Sequence, residues 1–447
     1  MTTSRTGYDV AIIGAGFCGT MVAVHLADEP RVQTVIFERD TFARGLAYAT
    51  ESPRHLLNLA AARMSALPDT PGSFVDYLGD GDPGAFAPRR DYAAYLRGVF
   101  ERATAERTNV ARRHASVVAL QPTSDDFRLT LDSGQTLQAR NVVLAIGLFP
   151  PSDDMVDESA RQSPHYLADP WSLDFDALFG NVLTIGTGLT AIDVLVELHH
   201  RGFEGTVTAL SRHGLLPQPH APYGEALQTA LDRHGARATF RSVRKAIAGV
   251  AKRGGDWRAV VDGVRPQSQE IWQGWSLREK QRFLRHLRPY WETSRRRVPP
   301  EAYRTVVALQ REGRFRRVTG RIRAIDVVPH ERFRVETEHA GDVRHLDVDW
   351  IVNCTGPRND VTKINDPLVR SLLRQGLIAP HPTGLGIQAT PRGRVIRADG
   401  TPSHNLFATG SLLRGVLYES VSVAELSGQM QTLAQRLRAT VLETKPG

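Results

Sequence analysis

Short apolar runs that lead through glycines into helical periodicity occur twice along the chain. The apolar run at 8–13 leads in this way into an apolar stretch at 20–26. The run at 181–185 leads into a segment with helical periodicity at 190–201. This order predicts a strand, a tight turn and a helix, because buried strands are short apolar runs and glycine permits tight turns. We therefore predict two strand–loop–helix units.

The first glycine-rich loop has the spacing of a dinucleotide-binding site. Gly14, Gly16 and Gly19 follow the first predicted strand, and Phe17 and Cys18 lie between the last two glycines. The first glycine permits the turn, the second lets the backbone approach a pyrophosphate, and the third lets the helix pack on the strand. The N–H groups at the start of the helix then face the phosphates.

An acidic residue ends the second predicted strand of this unit. Glu38 follows the apolar run at 35–37 and lies 24 residues after Gly14. A carboxylate at this place accepts hydrogen bonds from a ribose 2′-OH. We expect Glu38 and the adjoining Arg39 to contact the bound dinucleotide.

The second unit differs from the first in the residues that follow its second strand. The strand at 206–210 is followed by Ser211 and Arg212 rather than by an acid. A cation here suits a 2′-phosphate, which a carboxylate would repel. This pattern therefore predicts that the second site binds NADPH rather than NADH. Its expected contacts are Gly186, Gly188, Leu189, Thr190, Ser211 and Arg212.

Three more predicted strands end in glycine, at Gly147, Gly356 and Gly410. We interpret the strands before Gly356 and Gly410 as returns of the chain to the first domain. A helix is also expected at 91–107 and a strand meander at 116–138. The predicted fold class is α/β, with two Rossmann-like dinucleotide-binding domains and the second inserted into the first.

Composition narrows the class of protein. The 447 residues are 41% hydrophobic and 23% charged, and no stretch approaches the roughly 20 apolar residues of a membrane helix, so we expect a cytoplasmic protein without a membrane partner. Two cysteines occur, Cys18 and Cys354, and they do not form a C-x-x-C pair, which excludes dithiol chemistry. The histidines do not cluster at ligand spacing, so no metal site is expected.

One segment carries the basic excess of the chain. The net charge is +8, yet 22 basic and 7 acidic residues lie between Arg241 and Arg323. Three interpretations of this segment are open. It is a solvated helical surface, or it attracts an acidic substrate or the phosphates of NADPH, or it binds nucleic acid through the basic run at 295–297. Its clearest helix starts at Ser276, and we expect its apolar stripe to be core: Leu277, Phe283, Leu284, Leu287, Tyr290 and Trp291.

The arrangement of loops and strand-ending glycines resembles the flavoproteins with two dinucleotide-binding domains, across nearly the whole chain. In them the first loop holds FAD and the second holds NAD(P)H. This implies an FAD domain at 1–162 and 349–447, and an NADPH domain at 163–348 with a basic helical insertion at about 220–320. The segments 44–48, 55–58, 211–217 and 413–419 resemble a bacterial family of FAD/NAD(P)-binding proteins.

The resemblance also implies further FAD contacts, namely Tyr48, Asn58, Gly147, Gly356, Gly410 and Ser411. In many related flavoproteins an aspartate stands in place of Ser411 and bonds the ribityl chain of the flavin.

A further similarity concerns Asn58. Together with Met64, Phe74 and Tyr77 it resembles the segment of class B flavin monooxygenases that lies over the flavin. There the asparagine sits near flavin C4a, where the peroxide forms, so Asn58 is the first candidate catalytic residue. The alternative is that Asn58 caps a turn. The class's diagnostic F-x-G motif is absent before His165, as it is in N-hydroxylating amino-acid monooxygenases.

Tyr418 and Glu419 directly precede the terminal helix, whose start at Ser422 has capping-box spacing. They either line the active site or pack and cap. His165 and His220 are candidate acid–base groups or structural histidines.

These features predict an FAD-dependent, NADPH-oxidising oxidoreductase. The favoured form is a single-component monooxygenase that forms a flavin C4a-hydroperoxide and hydroxylates a small metabolite, with N-hydroxylation among the candidates. Its partners would be this small molecule and molecular oxygen. One alternative is an NADPH-dependent reductase that passes electrons to a quinone or another acceptor. Another is a flavin-containing protein that binds nucleic acid through the basic insertion. The substrate and the oligomeric state are not predicted.

Overall fold

A computed structural model describes residues 7–79 and 81–443 of the chain. Its strands are, in chain order, β1 (Tyr8–Ile13), β2 (Thr34–Glu38), β3 (Val110–His114), β4 (Val117–Pro122), β5 (Phe127–Leu131), β6 (Thr136–Leu144), β7 (Phe149–Pro151), β8 (Tyr166–Leu167), β9 (Asn181–Ile185), β10 (Thr206–Ser211), β11 (Phe315–Thr319), β12 (Arg321–Val328), β13 (Arg332–His339), β14 (Asp342–Val348), β15 (Trp350–Asn353), β16 (Pro357–Arg358), β17 (Arg394–Ile396) and β18 (Pro402–Ala408).

The α-helices are, in chain order, α1 (Phe17–Ala27), α2 (Ser73–Leu78), α3 (Arg89–Thr104), α4 (Glu158–Gln162), α5 (Leu189–His200), α6 (Ala236–Lys252), α7 (Trp257–Val264), α8 (Ser268–Gly274), α9 (Leu277–His286), α10 (Arg288–Arg295), α11 (Pro300–Arg311), α12 (Pro367–Arg374), α13 (Arg414–Leu417) and α14 (Val423–Glu443).

The chain divides into two compact units. Unit 1 consists of Met1–Glu51, Ala60–Leu148 and Asn359–Gly447, and unit 2 of Ser52–Leu59 and Phe149–Arg358. The domain limits expected at 163 and 348 therefore lie inside unit 2, which begins earlier and ends later. The short segment Ser52–Leu59, which contains Asn58, groups with unit 2.

Unit 1 is built on a largely parallel sheet. Its strands lie in the order β17-β18-β6-β1-β2-β3, and the antiparallel strands β4 and β5 extend from β6. β1 pairs in parallel with both β2 and β6. After its first residue, β1 is fully buried, as expected for a parallel strand covered on both faces. Helix α1 packs against α3 and α14.

Unit 2 contains a second parallel sheet, in the order β11-β10-β9-β15-β8. A three-stranded antiparallel sheet, β12-β13-β14, lies between β11 and β15 in the sequence. Six helices, α6 to α11, occupy the chain between β10 and β11. Among the described residues, no helix is both long and apolar enough to cross a bilayer.

The two predicted strand–loop–helix units are present, but one strand assignment is corrected. Trp350–Asn353, interpreted from sequence as a return to the first domain, is β15 and pairs with β9 and β8 in unit 2. A short buried apolar strand that ends in glycine suits either sheet, so its composition does not identify its partners. The last strand of the expected meander and the strand expected before Gly147 form one continuous strand, β6, which ends at Leu144.

The apolar stripe expected after Ser276 is also only partly core. Phe283 and Trp291 are buried, whereas Leu277 is 43% and Tyr290 51% exposed. The stripe spans two helices, because α9 ends before Leu287 and α10 begins with a proline in its first turn.

Candidate functional site

The first glycine loop follows β1 at the carboxyl edge of the sheet in unit 1. Gly14 has φ +99°, and a Cβ atom there would lie 2.4 Å from the carbonyl oxygen of Ala145. A Cβ on Gly19 would lie 1.8 Å from the carbonyl oxygen of Gly14. The backbone itself therefore requires these two glycines. Gly16 differs, because its φ is −69° and a Cβ would approach only the Cα of Gly45, at 3.6 Å.

Glu38 closes this loop against the end of β2. One oxygen of its carboxylate accepts the N–H of Ala15 at 2.8 Å, and the other accepts the N–H groups of Arg39 and Asp40 at 2.9 and 3.2 Å. The carboxylate is thus fixed beside the loop, with lone pairs left for a ribose hydroxyl. The guanidinium of Arg39 is exposed and lies 3.5 Å from Asp40.

Several other predicted FAD contacts gather at the ends of β1, β6 and β18. The hydroxyl of Ser411 donates to the carbonyl of Gly147. A Cβ on Gly410, which has φ +63°, would lie 3.1 Å from the sulfur of Cys18. The crevice beyond the carboxyl ends of parallel strands is where ligands bind in such sheets. Ser411, in place of the usual aspartate, is engaged with the main chain.

Cys18 and Tyr48 are held neutral in unit 1. Burial raises the pKa of the Cys18 thiol to about 12, although a hydrogen bond with Thr409 opposes the shift. Burial also raises the pKa of the Tyr48 phenol. The Tyr48 ring packs 4.7 Å from that of Tyr92, and Phe17 is buried at the start of α1. Both polar groups therefore act as neutral hydrogen-bonding groups.

Tyr418 and Glu419 also lie in unit 1, and both are buried, at 4% and 2% exposure. Tyr418 has φ +58°, a conformation that costs a non-glycine residue energy and recurs at functional sites. The guanidinium of Arg414 lies 5.8 Å from the Tyr418 ring. The two residues precede α14, as the sequence predicts, and their place in an active site stays a prediction.

The second glycine loop repeats the geometry of the first. Gly186 has φ +116°, and a Cβ there would lie 2.5 Å from the carbonyl oxygen of Cys354, at the end of β15. Its N–H donates to the carbonyl of Leu210 at 2.7 Å. Gly188 has φ −82°, and a Cβ there would have no neighbour within 4 Å. Leu189 and Thr190 follow at the half-buried start of α5.

Ser211 fastens this loop to the end of β10. Its hydroxyl accepts the N–H of Gly214 at 3.0 Å and lies 2.9 Å from the hydroxyl of Thr187. Sequence reasoning missed Thr187, although a hydroxyl between two loop glycines is a visible signal. Arg212 is exposed beside Ser211. Gly356, with φ +82°, follows β15 and therefore belongs to this unit rather than to the first domain.

Arg212→Ala should raise the KM for NADPH by about ten- to hundredfold and leave the KM for NADH nearly unchanged. The reason is the loss of a charge-assisted contact with the 2′-phosphate, worth about 1.5–3 kcal/mol. Steady-state kinetics with both coenzymes measure the effect. Equal weakening of the two coenzymes would assign Arg212 a structural role instead.

The segment Ser52–Leu59 is anchored within unit 2 at two places. His220 Nε2 lies 2.9 Å from the main-chain oxygen of Asn58, and since a carbonyl only accepts, this nitrogen carries the proton. The other anchor is the carboxylate of Glu197. The hydroxyl of Ser52 donates to it at 2.5 Å, and Nε2 of His55 lies 3.7 Å from it. Sequence reasoning missed this second anchor, which joins residues more than a hundred positions apart.

The charge state of both anchors follows from their surroundings. Burial opposes ionisation of Glu197, but hydrogen bonds from Ser52 and Arg201 hold its pKa below the ordinary value. Burial lowers the pKa of His220 to about 4, although the bond to Asn58 opposes the shift. At neutral pH the first anchor is therefore a neutral imidazole and the second contains a carboxylate.

His220→Gln should flatten the pH dependence of stability between about pH 6.5 and 4. Because the folded-state pKa lies below the ordinary 6.5, the unfolded chain binds more protons in this window. The contribution of His220 to the free energy of unfolding is complete above pH 6.5. It falls as the pH decreases, by up to about 3 kcal/mol. Denaturant unfolding of both proteins at pH 7 and 4.5 measures it, and identical pH slopes would contradict the assignment.

The other candidate histidine is half-buried and packs against two aromatic rings. The ring of His165 stacks on Trp350 at 4.2 Å and meets Phe179 edge-on at 5.6 Å. Across residues 7–79 and 81–443, no group of three potential metal ligands is found.

The basic run at 295–297 is engaged within unit 2. Arg297 is 2% exposed and forms an ion pair with Asp262, and its guanidinium lies 5.8 Å from the Trp257 ring. Arg295 is buried, and Arg296 pairs with Glu292. This run therefore contributes little to the exposed basic surface.

A family model matches the part of the chain that contains the first glycine loop. Residues 11–149 match the family model described as FAD-NAD(P)-binding. A search of curated proteins found no significant match.

Solved structures match along nearly the entire chain. L-lysine 6-monooxygenase from Pseudomonas syringae shares 18% identity, with a TM-score of 0.69, over 97% of this chain and 99% of that one. Ornithine N-hydroxylase from Kutzneria sp. 744, described with reduced FAD, NADP+ and L-ornithine, shares 16% identity and has a TM-score of 0.67 over the same shares. The bacillithiol disulfide reductase of Staphylococcus aureus shares 13% identity, with a TM-score of 0.61, over 98% of this chain and 99% of that one.

These matches confirm the predicted α/β fold class and the cofactor classes FAD and NAD(P)H. The geometry fits such cofactors, because Gly16 and Gly188 leave open backbone where phosphates would approach. Residues 11–149 match an FAD-NAD(P)-binding domain, and the chain shares the fold of the solved lysine and ornithine hydroxylases.

Proposed function

We propose that the protein is an FAD-dependent, NADPH-oxidising monooxygenase that hydroxylates a small metabolite at an amine nitrogen. The whole-chain likeness to the lysine and ornithine enzymes supports this class, since their names state oxygenation of an amino acid. The same fold also serves a disulfide reductase, so the fold alone does not choose between the two chemistries.

The state of the two cysteines is the observation that favours oxygenation over disulfide reduction. Cys18 lies in unit 1 and Cys354 in unit 2, and they lie 336 positions apart in the sequence. Burial raises the pKa of both thiols, that of Cys18 to about 12. Disulfide exchange needs a thiolate, which neither residue supplies at neutral pH. The two thiols therefore argue against disulfide exchange, and oxygen is an acceptor that requires no reactive cysteine.

In this proposal the chain supplies binding, orientation and charge. The first loop and Glu38 hold the FAD, and the second loop with Arg212 holds NADPH. When bound, the flavin would take up a hydride from NADPH and activate oxygen. The Asn58 side chain, on a segment anchored by His220, would offer a hydrogen bond on the substrate side of the flavin. Tyr418 and Glu419 would close the site from water.

A panel of amines tests the proposal. We expect L-ornithine, L-lysine, cadaverine or an amino acid with an acidic side chain to stimulate NADPH oxidation and to yield a hydroxylamine. NADPH oxidation that depends on a quinone and gives no oxygenated product would favour the reductase. Retention on DNA or RNA that falls steeply with salt would favour the nucleic-acid alternative. We expect neither, and we expect the enzyme in the cytoplasm.

Native enzyme treated with iodoacetamide should keep its NADPH oxidation within about twofold, because protonated thiols react slowly. The amount of label on Cys18 and Cys354, measured by mass spectrometry, provides the control. Rapid labelling together with loss of activity would point to thiol chemistry instead.

A further inference from the structure

An exposed pair of rings stands next to the residue expected to read the 2′-phosphate. Tyr290 on α10 is 51% exposed, although its neighbour Trp291 is 7% exposed. Its ring lies 6.0 Å from that of the exposed His213, with an angle of 48° between the planes. Large aromatic residues left in solvent at a ligand-binding edge commonly serve as contact surfaces.

The position of these rings is fixed relative to the end of β10. His213 follows Ser211, the last residue of β10, by two positions. The N–H of Gln218 donates to the carbonyl of Thr293 at 3.0 Å, which joins α10 to the loop after β10. The N–H of His220 donates to Val298 at 2.9 Å and extends this connection. The helical insertion is therefore fastened where the adenosine half of a dinucleotide lies in Rossmann folds.

The charge around the rings is positive. Arg212 is exposed beside His213, and Arg317 on the neighbouring strand β11 donates to the carbonyl of Gly214 at 3.2 Å. The acidic residues of α9 and α10 form ion pairs, Glu279 with Arg282 and Glu292 with Arg296. A surface with two aromatic rings and exposed cations suits an aromatic base that carries phosphates.

We infer that Tyr290 and His213 form a stacking platform for the adenine of NADPH, while Arg212 binds its 2′-phosphate. This inference rests on the proposed function, in which the second loop holds NADPH. It gives the basic helical insertion a role in coenzyme binding, one of the three roles that its charge allows. Tyr290 reads the base, which NADPH and NADH share, and Arg212 reads the phosphate that distinguishes them.

Equilibrium binding to the FAD-loaded protein separates these two roles. The probes are NADP+, 2′,5′-ADP and 5′-AMP, measured by calorimetry without turnover. Tyr290→Ala should weaken 2′,5′-ADP and 5′-AMP by the same factor, roughly 5- to 100-fold, because it removes a ring stacked on the base. Tyr290→Phe should bind within about twofold of the wild type, since the ring is kept. Arg212→Ala should weaken NADP+ and 2′,5′-ADP, which carry the 2′-phosphate, and leave 5′-AMP unchanged.

Phe179→Ala is the matched control, because Phe179 is another exposed ring of unit 2, at 54% exposure. Its binding of all three probes should equal that of the wild type. Unchanged binding in Tyr290→Ala would overturn the platform, and so would a loss confined to 2′,5′-ADP. A larger loss for single-stranded oligoadenylate than for 5′-AMP would assign the rings to nucleic acid and overturn it as well.

The inference and the proposed function fail in distinguishable ways. If Tyr290→Ala binds NADP+ normally while the wild type hydroxylates an amine, only the platform is wrong. If Tyr290→Ala loses NADP+ binding while the wild type hydroxylates no amine, the platform holds and the monooxygenase does not. Wild-type protein that binds neither NADP+ nor 2′,5′-ADP would overturn both.

Discussion

Gly188→Ala should weaken NADP+ binding by about 100-fold or more while leaving folding and FAD content unchanged. The backbone at Gly188 has φ −82°, which alanine adopts freely, and a Cβ there has no neighbour within 4 Å. A phosphate bound to the loop is the group that this Cβ would displace. Loss of two charge-assisted N–H contacts, each about 1.5–3 kcal/mol, gives this magnitude. Calorimetry with NADP+ and thermal unfolding measure the two effects.

Two other glycines of unit 2 provide the controls. Gly224→Ala should change neither property, because a Cβ at Gly224 also has no neighbour within 4 Å. Gly186→Ala should lower stability, because its φ is +116° and its Cβ would lie 2.5 Å from a carbonyl oxygen. Wild-type affinity in Gly188→Ala would mean that the coenzyme phosphates do not approach this loop.

Asn58→Ala should uncouple NADPH oxidation from hydroxylation. If the Asn58 amide holds one hydrogen bond on the oxygen side of the flavin, an unsatisfied partner costs about 1–3 kcal/mol. The ratio of hydroxylated product to hydrogen peroxide should then fall roughly 5- to 150-fold. Product and peroxide are measured in the same reaction.

The truncation leaves the anchor of this segment in place, because His220 bonds the main-chain oxygen of Asn58 and not its amide. FAD content and the rate of flavin reduction by NADPH should therefore match those of the wild type, and both serve as controls. An unchanged ratio of product to peroxide would remove Asn58 from the mechanism and leave it a turn residue.

Local sequence patterns predicted what depends on local geometry. Gly14 and Gly186 have positive φ, and the strand, turn and helix around each were visible as spacing and periodicity. Glu38 and Arg212 were predicted as cofactor contacts from their positions, Glu38 at the end of β2 and Arg212 directly after β10. In these cases the chemistry of a residue and its place in the fold are encoded within about 30 residues.

Long-range partners were beyond such patterns. β15 was assigned to the wrong sheet, because burial of a four-residue apolar strand says nothing about which strands flank it. The association of Ser52–Leu59 with unit 2 depends on Glu197 and His220, which are distant in sequence. The apolar stripe gave no sign that α9 ends before Leu287, and Tyr290, which lies on the next helix, is exposed.

The most direct test of the monooxygenase assignment is oxygen labelling. The protein is supplied with NADPH, with ¹⁸O₂ and with an amine that stimulates coenzyme oxidation. The mass of the product is then measured by mass spectrometry. We expect one hydroxylamine molecule with a single ¹⁸O atom for each NADPH consumed, less the fraction of oxygen released as peroxide. NADPH oxidation with no ¹⁸O in any product, together with transfer of electrons to a quinone, would contradict it and identify a reductase.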